Sequence, residues 1–206
     1  MRIFLLTFVL GLAPLNAAIT IVQQAHVSAS TGSNPYTATF SASPSSSNII
    51  VLMGLEGFSG STNTIQSVTG ATFSNITTCT QNGVVVEVWL GTNPTSTNIA
   101  VTFGLTPNVF NYGQVIVAEV SGLTSTVDGT PACGGGQGAN VSAGNLTTSN
   151  SNDLFLALAY LNEGTYGGSN YPYSPSVGTV FTGDNSASSA SLYLILSLPN
   201  STNYLH

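Results

Sequence analysis

The amino-acid sequence predicts an all-β protein, a two-sheet antiparallel β-sandwich of the jelly-roll or immunoglobulin-like kind. Short segments rich in β-branched residues alternate with turns rich in Gly, Asn, Ser, Thr and Pro, a pattern typical of sandwiches and barrels. No segment combines sustained helical periodicity with caps at both ends. With 206 residues, the chain is long enough to bury one sizeable core.

The predicted strands are the β-rich segments between these turns. They are Ile19–Val27, Tyr36–Ser41, Asn48–Leu55, Ile65–Val68, Val84–Leu90, Asn98–Phe103, Gln114–Val120, Asn140–Thr147, Asp153–Leu161, Thr179–Phe181 and Ser191–Leu198. The segment Asp153–Leu161 contains Leu and Ala, which favour helices. Its length and the Asn-rich residues before it nevertheless favour a buried strand.

Alternation assigns the two faces of a strand, because successive side chains point to opposite sides of the sheet. In Val84–Leu90 one face is entirely apolar and the other carries Glu87 and Trp89. Gln114–Val120 likewise has one apolar face and one face with Glu119. Because burying an unpaired carboxylate is costly, we expect the apolar faces to line the core. The glutamate faces should then be outer or groove-lining.

The N-terminal residues have the pattern of a signal peptide. Arg2 precedes the apolar run Ile3–Leu12, and small residues that suit cleavage end at Ala18. The run is shorter than the roughly 20 residues that span a bilayer. We therefore expect residues 1–18 to be a signal peptide and the mature protein to be secreted, at the cell surface or outside the cell.

The rest of the chain shows no linker, charge block or internal repeat, so residues 19–206 are expected to form a single sandwich domain. The chain ends at His206, soon after the last predicted strand. That ending leaves open whether a final strand is missing.

Charge excludes several classes of partner. Only 4% of residues are charged, against about 25% in typical domains, and Arg2 is the one Lys or Arg. Nucleic-acid binding requires cations that displace counterions, and anionic membranes attract basic segments. Neither nucleic acid nor membrane insertion is expected after signal cleavage. Ser, Thr and Asn, about a third of the chain, supply the polarity instead.

Two cysteines, Cys79 and Cys133, are the only ones in the chain. An oxidising compartment permits them to form a disulfide, and the sequence leaves open whether they do. A zinc site is not expected, because His26 and His206 are the only histidines and neither has a close Cys or His neighbour.

Six segments carry a resemblance to a known kind of domain. They are NIIVLMGLEG (48–57), IQSVTGATF (65–73), VVVEVWLGTN (84–93), NIAVTFGL (98–105), VIVAEVSGL (115–123) and SNDLFLALAYL (151–161). Their order resembles an uncharacterised family of β-sandwich domains in secreted bacterial proteins. The resemblance implies a jelly-roll or immunoglobulin-like fold, often within large surface proteins, and brings no catalytic residues with it.

Paired carboxylates are the best catalytic candidate. Jelly-roll glycosidases place two acids on neighbouring strands, about 5–5.5 Å apart in retaining enzymes. Glu87 and Glu119 could form such a pair, with Trp89 as a platform for the sugar ring. The alternative is that both acids are solvated residues on outer faces, isolated from each other. A serine triad is not indicated, because no G-x-S-x-G elbow occurs.

Binding without catalysis needs only exposed rings and hydrogen-bonding groups. Trp89, Tyr166, Tyr171 and Tyr173 are the candidate ligand-binding residues, the tyrosines lying in one Gly- and Asn-rich loop. The alternative for the tyrosines is that they pack over the end of the sandwich.

Three Asp-containing turns, at Asp128, Asp153 and Asp184, have oxygen donors that suit calcium. Asp and Asn also favour turns for backbone reasons alone, so no cofactor is expected and calcium is the alternative. The sequence thus predicts a non-enzymatic secreted protein that binds or assembles at the cell surface. Its expected partner is a polysaccharide or a surface protein, and the alternative function is a glycoside hydrolase.

Overall fold

The computed structural model describes residues 2–12, 18–29, 34–57, 63–81, 83–104, 113–137, 153–162, 179–180 and 189–196. These ranges contain strands with their connections and no helix. The strands are β1 (Arg2–Leu12), β2 (Thr20–Ala29), β3 (Tyr36–Thr39), β4 (Ile49–Gly57), β5 (Ile65–Thr69), β6 (Thr72–Gln81), β7 (Val84–Thr92), β8 (Asn98–Phe103), β9 (Gly113–Ser121), β10 (Leu123–Gln137), β11 (Asp153–Asn162), β12 (Thr179–Val180) and β13 (Ser189–Leu196). Over these ranges the structure contains no helix that could span a membrane.

The chain divides into two compact units, one made of residues 1–19 with 126–206 and one of residues 20–125. The first contains a five-stranded sheet in the order β10-β1-β11-β13-β12. Strand β1 pairs antiparallel with β11, from Arg2 opposite Asn162 to Leu10 opposite Leu154. The segment expected to be a signal peptide therefore contains a strand. Its cleavage, and a single domain over 19–206, stay predictions.

The second unit contains two antiparallel sheets that pack against each other. The large sheet has the order β2-β9-β4-β7-β6, and the small sheet has the order β3-β8-β5. This arrangement confirms the predicted all-β sandwich.

One hydrophobic core joins the large and small sheets. Its buried members are Tyr36, Ala38, Phe40, Ile50, Leu52, Ile65, Ile99, Val101, Phe103, Val115 and Val117. The rings of Tyr36 and Phe103 meet edge to face with centroids 5.3 Å apart, a favoured geometry for aromatic pairs. Removing such apolar side chains from water stabilises the sandwich by about 1.5–3 kcal/mol for each large side chain.

The strand register decides which face of the large sheet points toward this core. Glu119 lies opposite Ile50, and Glu87 lies opposite Gly54. Both glutamates therefore share the face of Ile50 and Leu52, which packs on the small sheet. The prediction that they lie on outer faces is wrong. The apolar set on the other face is also buried, and it comprises Val86, Val88, Leu90, Ile116, Ala118 and Val120.

Ten predicted strands occur with bounds within two residues of those expected. The predicted strand Asn140–Thr147 lies outside the described residues. Three further strands, β1, β6 and β10, were not predicted. Strand β10 extends to Gln137 and so includes most of the glycine-rich run 134–138.

Three irregularities interrupt the strand registers of the sandwich, and each lies on an edge strand. They fall between Ile21 and Gln23 in β2, between Ile65 and Ser67 in β5, and between Asn75 and Thr77 in β6. The fourth edge strand, β3, has only four residues. The registers of β4 with β7 and with β9 are continuous.

Candidate functional site

The face of the large sheet that packs on the small sheet, here called the inner face, carries three rows of side chains. The rows are Gln23, Glu119, Ile50, Gly91 and Phe73; Ala25, Val117, Leu52, Trp89 and Asn75; and Val27, Val115, Gly54, Glu87 and Thr78. Glu119 and Glu87 thus lie in the first and the third row, toward opposite edges of the sheet.

Glu119 is 2% exposed and accepts hydrogen bonds from three neutral donors. Ser45 N and Asn48 Nδ2 donate to Oε1 at 2.8 and 2.6 Å, and Gln23 Nε2 donates to Oε2 at 2.6 Å. Gln23 in turn bonds the amide and the carbonyl of Ala42. Glu119 therefore fixes the connection between β3 and β4 onto the large sheet.

Glu87 is 4% exposed and joins the two sheets. Its Oε2 accepts a hydrogen bond from the backbone N–H of Ile65, the first residue of β5. Its Oε1 accepts from Thr78 Oγ1 at 2.9 Å and from Asn75 Nδ2 at 3.1 Å, both on β6. Burial raises the pKa of this carboxyl above its usual value, and the hydrogen bonds from Ile65 and Thr78 oppose that rise.

A glycine makes room for this connection between the sheets. Gly54 lies beside Glu87 in the third row, and a Cβ at Gly54 would lie 2.6 Å from Ile65 Cδ1. A contact that short does not occur between real side chains, so an alanine here would displace the end of the Ile65 side chain.

The two glutamates do not form a carboxylate pair. Their partners on β4, Gly54 and Ile50, are four residues apart, and β4 lies between β7 and β9. With about 3.4 Å per residue and about 4.8 Å between strands, the two α carbons are roughly 17 Å apart. The separations that glycosidases use are about 5–10 Å. The apolar row with Leu52 lies between the two acids.

Trp89 is in this middle row, between Leu52 and Asn75. It is half-buried and packs against the core. Its indole Nε1 is buried, with no hydrogen-bond partner among the described residues. The ring therefore packs within the sandwich, and the described residues give no flat exposed platform at this position.

The remaining ligand and metal candidates are only partly described. Tyr166, Tyr171, Tyr173 and Asp184 lie outside the described residues. Asp128 is half-buried in β10, and Asp153 is buried at the start of β11. Within the described ranges no three His, Cys, Asp or Glu side chains come together as a metal site would require.

Cys79 and Cys133 are both disulfide-bonded. Cys79 is buried in β6, whereas Cys133 is exposed in β10.

The face of the small sheet that points away from the core, here called the outer face, is polar and uncharged. Its members are Thr37, Thr39, Ser67, Thr69, Asn98, Ala100 and Thr102. Sequence analysis did not single out these residues as a surface. The available signal was the alternation in Tyr36–Thr39, where buried Tyr and Ala alternate with exposed Thr.

Comparison with known proteins gives no relative. No protein-family model, no curated protein and no solved structure matches the chain. The resemblance to secreted bacterial sandwich domains therefore stays a prediction.

Proposed function

We propose that this protein is a secreted, non-enzymatic β-sandwich that binds a neutral polysaccharide at the cell surface. The observation that supports it best is the state of Glu87 and Glu119. Each is almost fully buried and accepts three hydrogen bonds from neutral groups of the protein. Both acids are therefore used to hold the fold, and neither reaches a substrate.

The separation of the two acids supports the same proposal. A glycosidase needs one carboxyl on each side of the scissile bond, and roughly 17 Å between α carbons is too far for side chains held in different rows. The glycoside hydrolase alternative, which rests on Glu87 and Glu119, thus receives no support from the positions of these two acids.

Charge favours a neutral ligand. The formal net charge is −6, and Arg2 is the only Lys or Arg. An acidic polymer would be repelled and would find no cation to pair with. Hydroxyl and amide groups can instead exchange hydrogen bonds with sugar hydroxyls. Each net bond contributes about 0.5–1.5 kcal/mol, so several must act together on one polymer.

Assembly by strand addition receives less support than polysaccharide binding. Strand addition needs a regular, unpaired edge, and the edge strands β2, β5 and β6 each carry a register irregularity. Such irregularities disrupt the ladder at the edge where a new strand would pair.

Native electrophoresis through gels that contain neutral polysaccharides tests the proposal. Hydroxyethyl cellulose, xyloglucan, mixed-linkage β-glucan and galactomannan are suitable probes, with polygalacturonate as the acidic control. We expect retarded migration in at least one neutral gel and none in the acidic gel. Unretarded migration in every neutral gel would overturn polysaccharide binding. Release of reducing sugar ends, abolished by Glu87→Gln, would overturn the non-enzymatic assignment.

A further inference from the structure

The outer face carries hydroxyl groups in a regular array. Thr37 and Thr69 lie opposite Ala100 on its two sides, and Ser67 lies opposite Thr102 in the next row. Neighbouring strands are about 4.8 Å apart, and side chains on one face recur about every 7 Å along a strand. The four hydroxyls thus surround the methyl group of Ala100 on three strands.

These four hydroxyls are not used by the fold. Thr37, Ser67, Thr69 and Thr102 make no side-chain hydrogen bond to any residue in the part of the chain that the structure describes. Thr78 is different, because its hydroxyl donates to buried Glu87 at 2.9 Å. Hydroxyls on an exposed strand that have no internal partner are free to bond a ligand.

The shape and composition of the array suit a sugar chain. Ala100 is the smallest side chain of the three strands on this face and forms a low apolar floor between Thr37 and Thr69. Pyranose rings have an apolar C–H surface and hydroxyls at the rim, so the floor and the flanking threonines complement the two parts of the ring. No charged residue lies on this face, which matches an uncharged polymer.

We infer that the outer face of the small sheet, centred on Ala100, is the surface that binds the neutral polysaccharide. The inference rests on the proposed function and names the site for it. The rings lie over Ala100, and the hydroxyls of Thr37 and Thr69 bond the sugar hydroxyls on either side.

Substitution of the two threonines tests the site. Thr37→Val and Thr69→Val remove a hydroxyl and keep a β-branched side chain of similar volume. Thr80→Val is the matched control, because Thr80 is an exposed threonine on β6 of the large sheet. Affinity is measured by electrophoresis over a series of concentrations of the polysaccharide that retards the wild type. Loss of one net hydrogen bond weakens binding about 2- to 10-fold.

The site is supported if both threonine variants bind about 2- to 10-fold more weakly and Thr80→Val binds as the wild type does. Thr37→Ser, which restores the hydroxyl, should then bind normally. If the valine variants do not fold, Ala100→Leu replaces them, since it fills the floor and should weaken binding. Wild-type affinity in the folded outer-face variants overturns the site but leaves the proposed function standing. A wild type that binds no neutral polysaccharide overturns both.

Discussion

The substitution Glu119→Gln should lower the stability of the sandwich by a predictable amount. A glutamine has one acceptor oxygen and one NH₂ group in place of the two carboxylate oxygens. If its oxygen keeps the bonds from Ser45 N and Asn48 Nδ2, its NH₂ group faces Gln23 Nε2, donor against donor. The side-chain amide of Gln23 cannot flip to relieve this, because its Oε1 accepts from Ala42 N and its Nε2 donates to Ala42 O.

The expected loss follows from those contacts. A hydrogen bond to a charged group contributes about 1.5–3 kcal/mol, and the remaining two bonds become weaker neutral ones. We expect the free energy of unfolding to fall by about 2–4 kcal/mol. Urea unfolding followed by the fluorescence of Trp89 measures this decrease in stability. Trp89 is the one tryptophan in the chain and lies in the same large sheet as Glu119. The exposed control Thr80→Val should change stability by less than about 0.5 kcal/mol. An equally small change in Glu119→Gln would refute the role given to Glu119.

Three more perturbations have defined outcomes. Because burial raises the pKa of Glu87 above the ordinary value of 4.5, its contribution to the free energy of unfolding is complete below that value and is lost as pH rises through the folded-state pKa. Glu87→Gln should therefore gain stability relative to the wild type as pH rises above 4.5 in urea titrations, and parallel pH curves would count against this. Gly54→Ala should destabilise by about 1–3 kcal/mol through overpacking against Ile65, measured by urea unfolding, and an unchanged midpoint would contradict the contact. Reduction of the disulfide should lower the melting temperature, because closing a loop of about 55 residues between Cys79 and Cys133 stabilises the fold by up to about 4 kcal/mol in the chain-entropy model. Calorimetry with and without a reductant tests this, and equal melting temperatures would contradict it.

The positions of most strands were predictable because β-branched segments between turn residues are a local signal. Strand β6 was missed because Thr72–Gln81 is mostly polar. The sequence did hold a signal, because Asn82-Gly83 is a typical two-residue hairpin turn. In the structure Gln81 pairs with Val84, and Gly83 has a φ of 79°. Thr-rich strands of this kind are edge strands, where one side of the backbone meets solvent.

The inner face of the large sheet was not predictable from alternation alone. The apolar set and the set with the glutamates are both buried, so apolar composition does not choose between them. The donors that satisfy Glu87 and Glu119 include the backbone amides of Ile65 and Ser45, 22 and 74 residues away in the chain. No local sequence pattern predicts that these donors lie close to the glutamates in the folded protein. Burying a carboxylate is costly, but the hydrogen bonds that offset this cost come from residues distant in the chain.

The candidate binding surface was missed for a related reason. The sequence directs attention to rare residues such as Trp89, whereas the outer face consists of the commonest ones. A threonine becomes informative only when its hydroxyl is known to lack an internal partner. Thr37 and Thr78 look alike in the sequence, yet Thr78 is bonded to Glu87.

The register irregularities on β2, β5 and β6 have a consequence for solubility. Many proteins protect sheet edges with lysine, and this chain has none. The edges of the sandwich are instead protected by irregular backbone geometry in β2, β5 and β6. This protection does not depend on pH or salt. Near its isoelectric point of about 4.2, where charge repulsion between molecules vanishes, the sandwich should still resist edge-to-edge association. A sheet guarded by lysines would lose its protection in concentrated salt, and this one should keep it.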